Sequence, residues 1–377
     1  MALYKTLVRK VSIPPDKKTK QKDYQKQGKL AIIDQGQKLI GGYSDNVENR
    51  LICELPVIVF GDHSRVVKYI TFPFGAGADG IKVLEPKEAI LPKYLYYGTQ
   101  YLVLRLRGRG YARHYQFIEK KELSVVSIPE QARIVAHIEE LFSQLDASVN
   151  ELEMAKKRLK GYRQAVVTAA YPTLTAENTC CLSELAEISG GITKGRKFEG
   201  SETVFLPYLR VANVQNGYLD LAEVKQIQLK KSEIEQYLLR FGDVLYTEGG
   251  DRDKLGRGTI WRNEIEKCVH QNHVFKARID TEKALPLYVA YWSMATPARN
   301  YFYTKGKQSV NLASINKTVL SMLPIPLIPI EQQQKIVVEI ESKLSICDSI
   351  EKTVDTALQQ AEALRQSILK KAFEGGF

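Results

Sequence analysis

Residues 134–170 read IVAHIEELFSQLDASVNELEMAKKRLKGYRQAVVTAA, and residues 336–372 read IVVEIESKLSICDSIEKTVDTALQQAEALRQSILKKA. The two stretches agree at a constant spacing of 202 positions, from the Ile-Val pair that opens each to the alanine that closes it. Chance does not hold one register for so long, so the chain carries an internal repeat. Neither stretch contains proline, and only Gly161 interrupts the helix-forming pattern.

Each stretch has an apolar seam at helical spacing. Steps of four and three residues select Ile134, Ile138, Leu141, Leu145, Ser148, Leu152, Ala155, Leu159, Tyr162, Val166 and Ala169. In the second copy they select Ile336, Ile340, Lys343, Cys347, Ile350, Val354, Ala357, Ala361, Leu364, Ile368 and Lys371. A period of 3.5 residues is typical of a coiled coil, so we expect the two helices to pack on each other.

The lengths favour an antiparallel pair. A helix of about 44 residues spans roughly 66 Å, whereas the intervening globular segment is only about 40 Å across. That segment does not easily carry the chain back to the start of the first helix. We therefore predict a pseudo-two-fold dumbbell in which two long antiparallel coiled-coil helices join two globular domains.

The predicted boundaries are a globular domain at 1–127, a helix at 128–171, a second globular domain at 172–327 and a second helix at 328–377. Both globular domains read as mixed and strand-rich, so the fold class is α+β with two α/β domains. Short motifs also recur between them, although more sparsely than in the helices. Phe60-Gly61-Asp62 recurs as Phe241-Gly242-Asp243, and Leu123-Ser124 recurs as Leu320-Ser321.

Charge is unevenly distributed along the chain. The formal net charge is +11, and residues 1–127 hold 22 Lys and Arg against 12 Asp and Glu. The second globular segment is nearly balanced, with 20 against 17. Such an excess predicts a polyanionic partner, although a basic surface that serves solubility remains an alternative.

Motifs for catalysis are missing from the sequence. Gly75 to Gly80 has the spacing G-x-G-x-x-G, but strand-like residues follow it where a dinucleotide site needs a helix. There is no P-loop and no Asn-Pro-Pro-Tyr-like methyltransferase motif. Cys268, His270 and His273 lack a fourth metal ligand, so a structural role is favoured. We expect no catalytic residue, no metal and no cofactor in this chain.

The sequence also bears on the compartment. It has no run of about 18 apolar residues, so no membrane span is expected, and its start has no signal-peptide core. The five cysteines are odd in number and lack C-x-x-C spacing, which fits a reducing cytoplasm better than a disulfide framework.

The densest nucleic-acid signal lies in residues 105–115, which read RLRGRGYARHY. Arginine grips phosphates or pairs with guanine, and glycine lets the backbone approach closely. A solvated basic loop is the alternative for this segment. The candidate DNA contacts here are Arg105, Arg107, Arg109, Tyr111 and Arg113.

Two weaker groups lie in the second globular segment. One consists of Lys194, Arg196, Lys197, Arg210 and Asn213. The other consists of Lys305, Lys307, Gln308 and Asn311, whose amides suit adenine recognition. An ordinary polar loop is an equal alternative for both groups.

Longer motifs resemble the target recognition domains of type I restriction-modification specificity subunits. Residues 207–217 read PYLRVANVQNG, follow Ser189-Gly-Gly-Ile-Thr193, and look like the opening of such a domain. The stretch FGDVLYT at 241–247 resembles a motif further into it, and residues 59–63 and 77–81 are similarly family-like. The resemblance covers essentially the whole chain, including the two spacer helices. Residues 1–39, however, lack a Gly-Gly-Ile-Thr opening.

The resemblance implies a non-catalytic subunit that reads a split, asymmetric site on double-stranded DNA, one half with each domain. Its partners would be two modification subunits, which methylate adenine with S-adenosylmethionine, and restriction subunits, which use ATP and Mg. The alternatives are an RNA-binding or scaffold protein with the same duplicated plan, and, more remotely, a self-contained nuclease.

Overall fold

A computed structural model describes residues 1–77, 80–106, 112–198, 200, 202–308 and 313–376. The chain forms two compact units. Unit 1 comprises Met1–Glu153 with Asp355–Phe377, and unit 2 comprises Met154–Val354. Both boundaries fall inside long helices, so each unit holds one globular segment together with parts of both helices. None of the helices described is long and apolar enough to cross a membrane.

Unit 1 is built on two small four-stranded sheets and a helix that covers one of them. Its strands are β1 (Ala2–Leu3), β2 (Val8–Val11), β3 (Lys18–Thr19), β4 (Leu30–Ile33), β5 (Gly42–Ser44), β6 (Val57–Gly61), β7 (Val67–Ile70), β8 (Phe74–Gly77), β9 (Ile81–Pro86) and β10 (Glu122–Leu123). Its helices are α1 (Tyr4–Leu7), α2 (Pro92–Leu104), α3 (Tyr115–Ile118) and the first part of α4 (Ile128–Ala169).

Unit 2 repeats this plan with longer connections. Its strands are β11 (Thr179–Cys181), β12 (Ala186–Gly190), β13 (Thr203–Leu209), β14 (Lys225–Lys230), β15 (Val244–Thr247), β16 (Gly249–Gly250), β17 (Gly258–Ile260), β18 (Val269–His270), β19 (Val274–Ile279), β20 (Lys307–Gln308), β21 (Ala313–Ser314) and β22 (Pro324–Pro326). Its further helices are α5 (Leu182–Leu185), α6 (Ile234–Tyr237), α7 (Pro286–Met294), α8 (Thr296–Lys305), α9 (Lys317–Ser321) and the first part of α10 (Ile330–Glu374).

Two sheets and one strand pair of unit 1 have counterparts in unit 2, whereas the small sheet β16-β21-β20 has none among the described residues. The antiparallel sheet β2-β9-β6-β7 of unit 1 matches β12-β19-β15-β17 of unit 2. The pair β1-β10 likewise matches β11-β22. In the second sheet of unit 1, β8 pairs in parallel with β4, which pairs antiparallel with β5. In unit 2, β18 likewise pairs in parallel with β13, which pairs antiparallel with β14. The α+β fold class and the duplication are thus confirmed.

Two of the predicted repeat equivalences are wrong. Phe60 and Gly61 end β6, whereas Phe241 and Gly242 precede β15, although β6 and β15 occupy the same place in their sheets. Sheet register instead equates Phe60 with Tyr246, and each is fully buried. Likewise Leu123 matches Ile325 rather than Leu320, because both pair with the first strand of their unit. Identities of two or three residues were too short to fix these registers.

In each unit the long helices run antiparallel, as predicted. In unit 2, Arg163 Nη2 lies 2.7 Å from Asp348 Oδ1 and 2.9 Å from Glu351 Oε2. Further along α4, Val167 joins a buried cluster with Val337, which lies earlier in α10. In unit 1, Arg365 forms an ion pair with Asp146 and stacks 4.2 Å from the ring centre of Phe142. Arg163 and Arg365 are repeat equivalents, as are Asp146 and Asp348.

The helical seam differs from the prediction at one of its two positions per heptad. Positions 138, 145, 152, 159 and 166 face inward as expected, as do their equivalents in α10. In most heptads the more buried residue lies one position later: Tyr162 is 53% exposed while Arg163 is half-buried, and Leu364 is 52% exposed while Arg365 is half-buried. At these two positions the ion pairs explain the difference, because a period count that scores only apolar residues passes over an arginine whose stem is buried.

A buried glutamine joins each long helix to its own globular segment. Gln131 and Gln333 are repeat equivalents in the first turns of α4 and α10, and both are completely buried. Gln131 Oε1 accepts a hydrogen bond from Leu91 N at 2.8 Å, and its Nε2 donates to the carbonyls of Ala89 and Val126. Each glutamine therefore satisfies backbone groups where the chain turns into a helix.

Candidate nucleic-acid interface

The arginine-rich segment of unit 1 is held at both of its described ends. Arg107, Arg109 and Tyr111 lie outside the described residues. Before them, Arg105 is exposed and its Nη1 donates to Tyr101 Oη at 3.1 Å; after them, Arg113 is exposed.

One turn after β6 supports both ends of this segment. Arg65 Nη1 donates to the Leu106 carbonyl at 3.4 Å, and Arg65 Nε donates to His114 Nε2 at 3.2 Å. The Asp62 carboxylate accepts a hydrogen bond from Tyr115 N at 2.8 Å. Arg65 adopts φ +62°, a conformation uncommon for residues other than glycine. The turn is thus shaped to hold the base of the arginine-rich segment.

In unit 2 the Gly-Gly-Ile-Thr stretch fits tightly against a neighbouring strand. A Cβ atom at Gly191 would lie 2.0 Å from the carbonyl oxygen of His270, so only glycine fits there. The next residue, Ile192, donates its N–H to that same carbonyl at 2.8 Å. The close approach fixes the place where the following basic residues leave the sheet.

The basic residues that follow, Lys194, Arg196 and Lys197, differ in whether the protein itself neutralises their charge. Lys194 is exposed, with its Nζ 5.5 Å from the ring centre of Tyr208. Lys197 is exposed as well. Arg196 forms a 2.7 Å ion pair with Glu233, which keeps the pKa of that carboxyl below its usual range. Lys194 and Lys197 therefore offer their charges to a ligand more readily than Arg196 does.

Asn213 occupies the interior of a loop. Its Oδ1 accepts a hydrogen bond from Arg210 N at 2.9 Å, and its Nδ2 donates to the carbonyls of Asp220 and Glu223. The Asn213 side chain is buried and both of its N–H donors are used, so Asn213 stabilises the loop. A contact with DNA at this place would therefore come from other residues of the loop. Arg210 Nη2 also donates to the Glu223 carbonyl and lies 3.6 Å from its carboxylate.

The remaining candidates lie where α8 passes into a small sheet. Lys305 ends α8 and is exposed; Lys307 is exposed in β20, which also includes Gln308. Asn311 lies outside the described residues. Nearby, Arg252 stacks 4.5 Å from the ring centre of Tyr303.

Sequence reasoning missed a lysine-rich segment of unit 1. Residues 20–29, between β3 and β4, contain four lysines and one aspartate, and all four lysines are exposed. A local count of charge would have found them. Their importance depends on the topology, however, because this segment occupies the same place in unit 1 as residues 193–202 do in unit 2.

The histidine near the Gly-Gly-Ile-Thr stretch serves structure. His270 is fully buried and its Nδ1 lies 2.7 Å from the Val274 carbonyl. Among the residues described, no group of three or more His, Cys, Asp or Glu could hold a metal ion. Burial lowers the pKa of His270 to about 4, so the imidazole is neutral at pH 7 and donates from Nδ1.

This burial predicts a loss of stability in mild acid. An unfolded chain takes up a proton on histidine near pH 6.5, whereas folded His270 does so only near pH 4. Stability present above pH 6.5 is therefore lost as the pH falls toward 4, by about 2 kcal/mol between pH 7 and pH 5. Urea unfolding followed by tryptophan fluorescence reports on unit 2, because both tryptophans, Trp261 and Trp292, are buried there.

The matched variant is His270→Gln, which cannot titrate in this range. We expect its unfolding free energy to change less between pH 7 and pH 5 than that of the unsubstituted chain. Equal pH dependence in the two proteins would show that His270 does not cause the effect.

Comparison with known proteins shows similarity to one group of proteins. Residues 177–360 match the model of the type I restriction modification DNA specificity domain. The chain is 26% identical over 333 residues to the type I restriction enzyme StySPI specificity subunit of Salmonella potsdam, covering 83% of this chain and 70% of that protein. It is 26% identical over 320 residues to the EcoKI specificity subunit of Escherichia coli K12, covering 78% and 67%.

Solved structures share the fold. A chain from a structure of complex assembly and conformational transition of the type I R-M system aligns with a TM-score of 0.68, at 17% identity, covering 100% of this chain and 97% of that one. The HsdS subunit of Thermoanaerobacter tengcongensis aligns with a TM-score of 0.52, at 16% identity, covering 100% and 96%. Residues 177–360 thus match a type I restriction modification DNA specificity domain, and the chain is similar over most of its length to type I specificity subunits.

Proposed function

We propose that this chain is the DNA-reading subunit of a type I restriction-modification complex. Residues 1–127 and 172–327 act as target recognition domains 1 and 2, and each reads one half of a split, asymmetric site on duplex DNA. The observation that carries the proposal is the duplicated domain plan in a chain similar to specificity subunits over most of its length. Basic residues at matching places in both units support it, because phosphate contacts supply much of the affinity for DNA.

The partners follow from the same proposal. Two modification subunits and the restriction subunits would dock on the chain, with the helices at 128–171 and 328–377 as spacers. S-adenosylmethionine, ATP and Mg would act on those partners, and this chain would be non-catalytic and cytoplasmic. None of the relatives compared above is named as an RNA-binding protein, so the RNA alternative has no support from them.

The proposal predicts binding without chemistry. The purified chain should select a recurring sequence from a pool of random duplex DNA and should prefer that duplex to RNA of the same sequence. With labelled S-adenosylmethionine it should leave the DNA unlabelled, because the sequence holds no methyltransferase motif. Adding the cognate modification subunit should produce labelled adenine in the selected sequence.

The control omits only the specificity chain, so that the modification subunit is tested alone. Methyl transfer by the purified chain would contradict the non-catalytic assignment. Equal retention of RNA and duplex DNA would favour the RNA-binding alternative instead.

A further inference from the structure

Residues 20–29 of unit 1 form a loop that we name the lysine crossover. It leaves β3, which pairs in parallel with β8, and enters β4, which pairs in parallel with β8 on its other side. The segment thus crosses from one side of a central strand to the other. Its charged residues are Lys20, Lys22, Lys26, Lys29 and Asp23.

The crossover is anchored to the domain. Gln25 N donates to the Tyr43 carbonyl at 2.9 Å, and Tyr43 N donates back to the Gln25 carbonyl at 3.0 Å. Tyr24 packs where glycines leave room, since Cβ atoms at Gly42 and Gly77 would lie 2.7 Å and 2.5 Å from its side chain. The lysines therefore project from a fixed backbone, which lowers the entropy lost when they bind a ligand.

The four ammonium groups are exposed and uncompensated. Across the part of the chain that the structure describes, none of them forms an ion pair with a carboxylate. Other lysines of unit 1 do form such pairs, for example Lys68 with Asp34 and Lys82 with Asp62. The crossover thus concentrates positive charge where the protein itself does not neutralise it.

Unit 2 has a crossover at the same topological position. Ile192 bridges in parallel to Gln271, next to β18, and β13 pairs in parallel with β18 itself. Between them the chain carries the exposed Lys194 and Lys197. The two crossovers share no sequence motif, but both carry exposed lysines at one place in one fold, and this recurrence favours a common ligand.

We propose that the lysine crossover grips the phosphate backbone of duplex DNA for the first recognition domain, and that Lys194 and Lys197 do so for the second. The inference rests on the proposed DNA-reading function and names the residues that supply sequence-independent affinity. Lysine contacts phosphate as a mobile point charge, so these residues position the domain on the duplex without selecting bases.

The test compares two triple variants of the full chain. One is Lys22→Gln, Lys26→Gln and Lys29→Gln; the control is Lys5→Gln, Lys87→Gln and Lys120→Gln. Both sets are exposed lysines of unit 1, and both variants lose the same net charge. The probes are the selected duplex and a scrambled duplex, titrated by fluorescence anisotropy across a range of salt concentrations.

The slope of log affinity against log salt is negative. For the crossover variant we expect its magnitude to decrease by about 2–3, since each phosphate contact contributes roughly 0.9. The ratio of affinities for the selected and scrambled duplexes should stay unchanged. The control should keep nearly the full slope. Lys194→Gln with Lys197→Gln should lower the magnitude of the slope by about 2 on the same principle.

Equal loss of slope in both triple variants would overturn the inference, because net charge alone would then explain binding. A changed preference between the two duplexes would also overturn it, because the lysines would then read bases. If the unsubstituted chain shows no preference for any duplex, the proposed function itself fails. This failure is distinguishable from failure of the lysine-crossover inference, because it is seen before any lysine is replaced.

Discussion

Replacing Gln333 with leucine is expected to lower the free energy of unfolding of unit 2 by about 2–4 kcal/mol. Gln333 Oε1 accepts from Leu285 N at 2.8 Å, and its Nε2 donates to the Ile328 carbonyl at 2.8 Å and to the Lys283 carbonyl at 3.3 Å. Leucine fills similar volume but leaves these backbone groups unpaired, and each unpaired buried group costs about 1–3 kcal/mol. The estimate counts mainly Leu285 and Ile328, because Lys283 is exposed and its carbonyl has access to water.

Tryptophan fluorescence during urea unfolding measures this loss, because Trp261 and Trp292 are both buried in unit 2. The matched control is Gln332→Leu, one residue earlier on the exposed side of α10. It should change stability by less than about 0.5 kcal/mol. If both variants unfold alike, the buried amide does not hold the helix to its domain.

Exchanging residues 172–327 for the second recognition domain of another specificity subunit is expected to change one half of the methylated sequence completely and leave the other half as it was. The physical reason is that each globular segment has its own sheets and its own hydrophobic core. Sequencing of methylated adenines in a host that carries the variant and its modification subunits measures both halves at once.

The exchange has a reciprocal control, in which residues 1–127 are replaced instead. We expect the other half of the site to change in that variant. If either exchange alters both halves together, the two globular segments form a single reader, and the assignment of one half-site to each domain fails.

Amino-acid composition predicted only part of the candidate site. Charge counts predicted a polyanionic partner, and Arg105, Arg113, Lys194, Lys197 and Lys305 are exposed. Such counts could not predict that Asn213 is buried in its own loop, because an asparagine with three backbone partners looks the same in sequence as one facing solvent. Nor could they single out the lysine crossover, whose counterpart in unit 2 shares a strand connection and no residue pattern.

The sequence by itself determined the two long helices, because a 3.5-residue period is a local property of the chain, and it determined their antiparallel direction through the lengths of the helices and of the segment between them. It also indicated that both globular domains are mixed and strand-rich. Only the tertiary structure decided which residue takes the second seam position in most heptads. Arg163 and Arg365 take seam positions because acidic residues on the facing helix pair with them, and such partners lie about 200 residues away. The strand equivalences between the units were decided in the same way, since hydrogen-bond register depends on which strands meet in space.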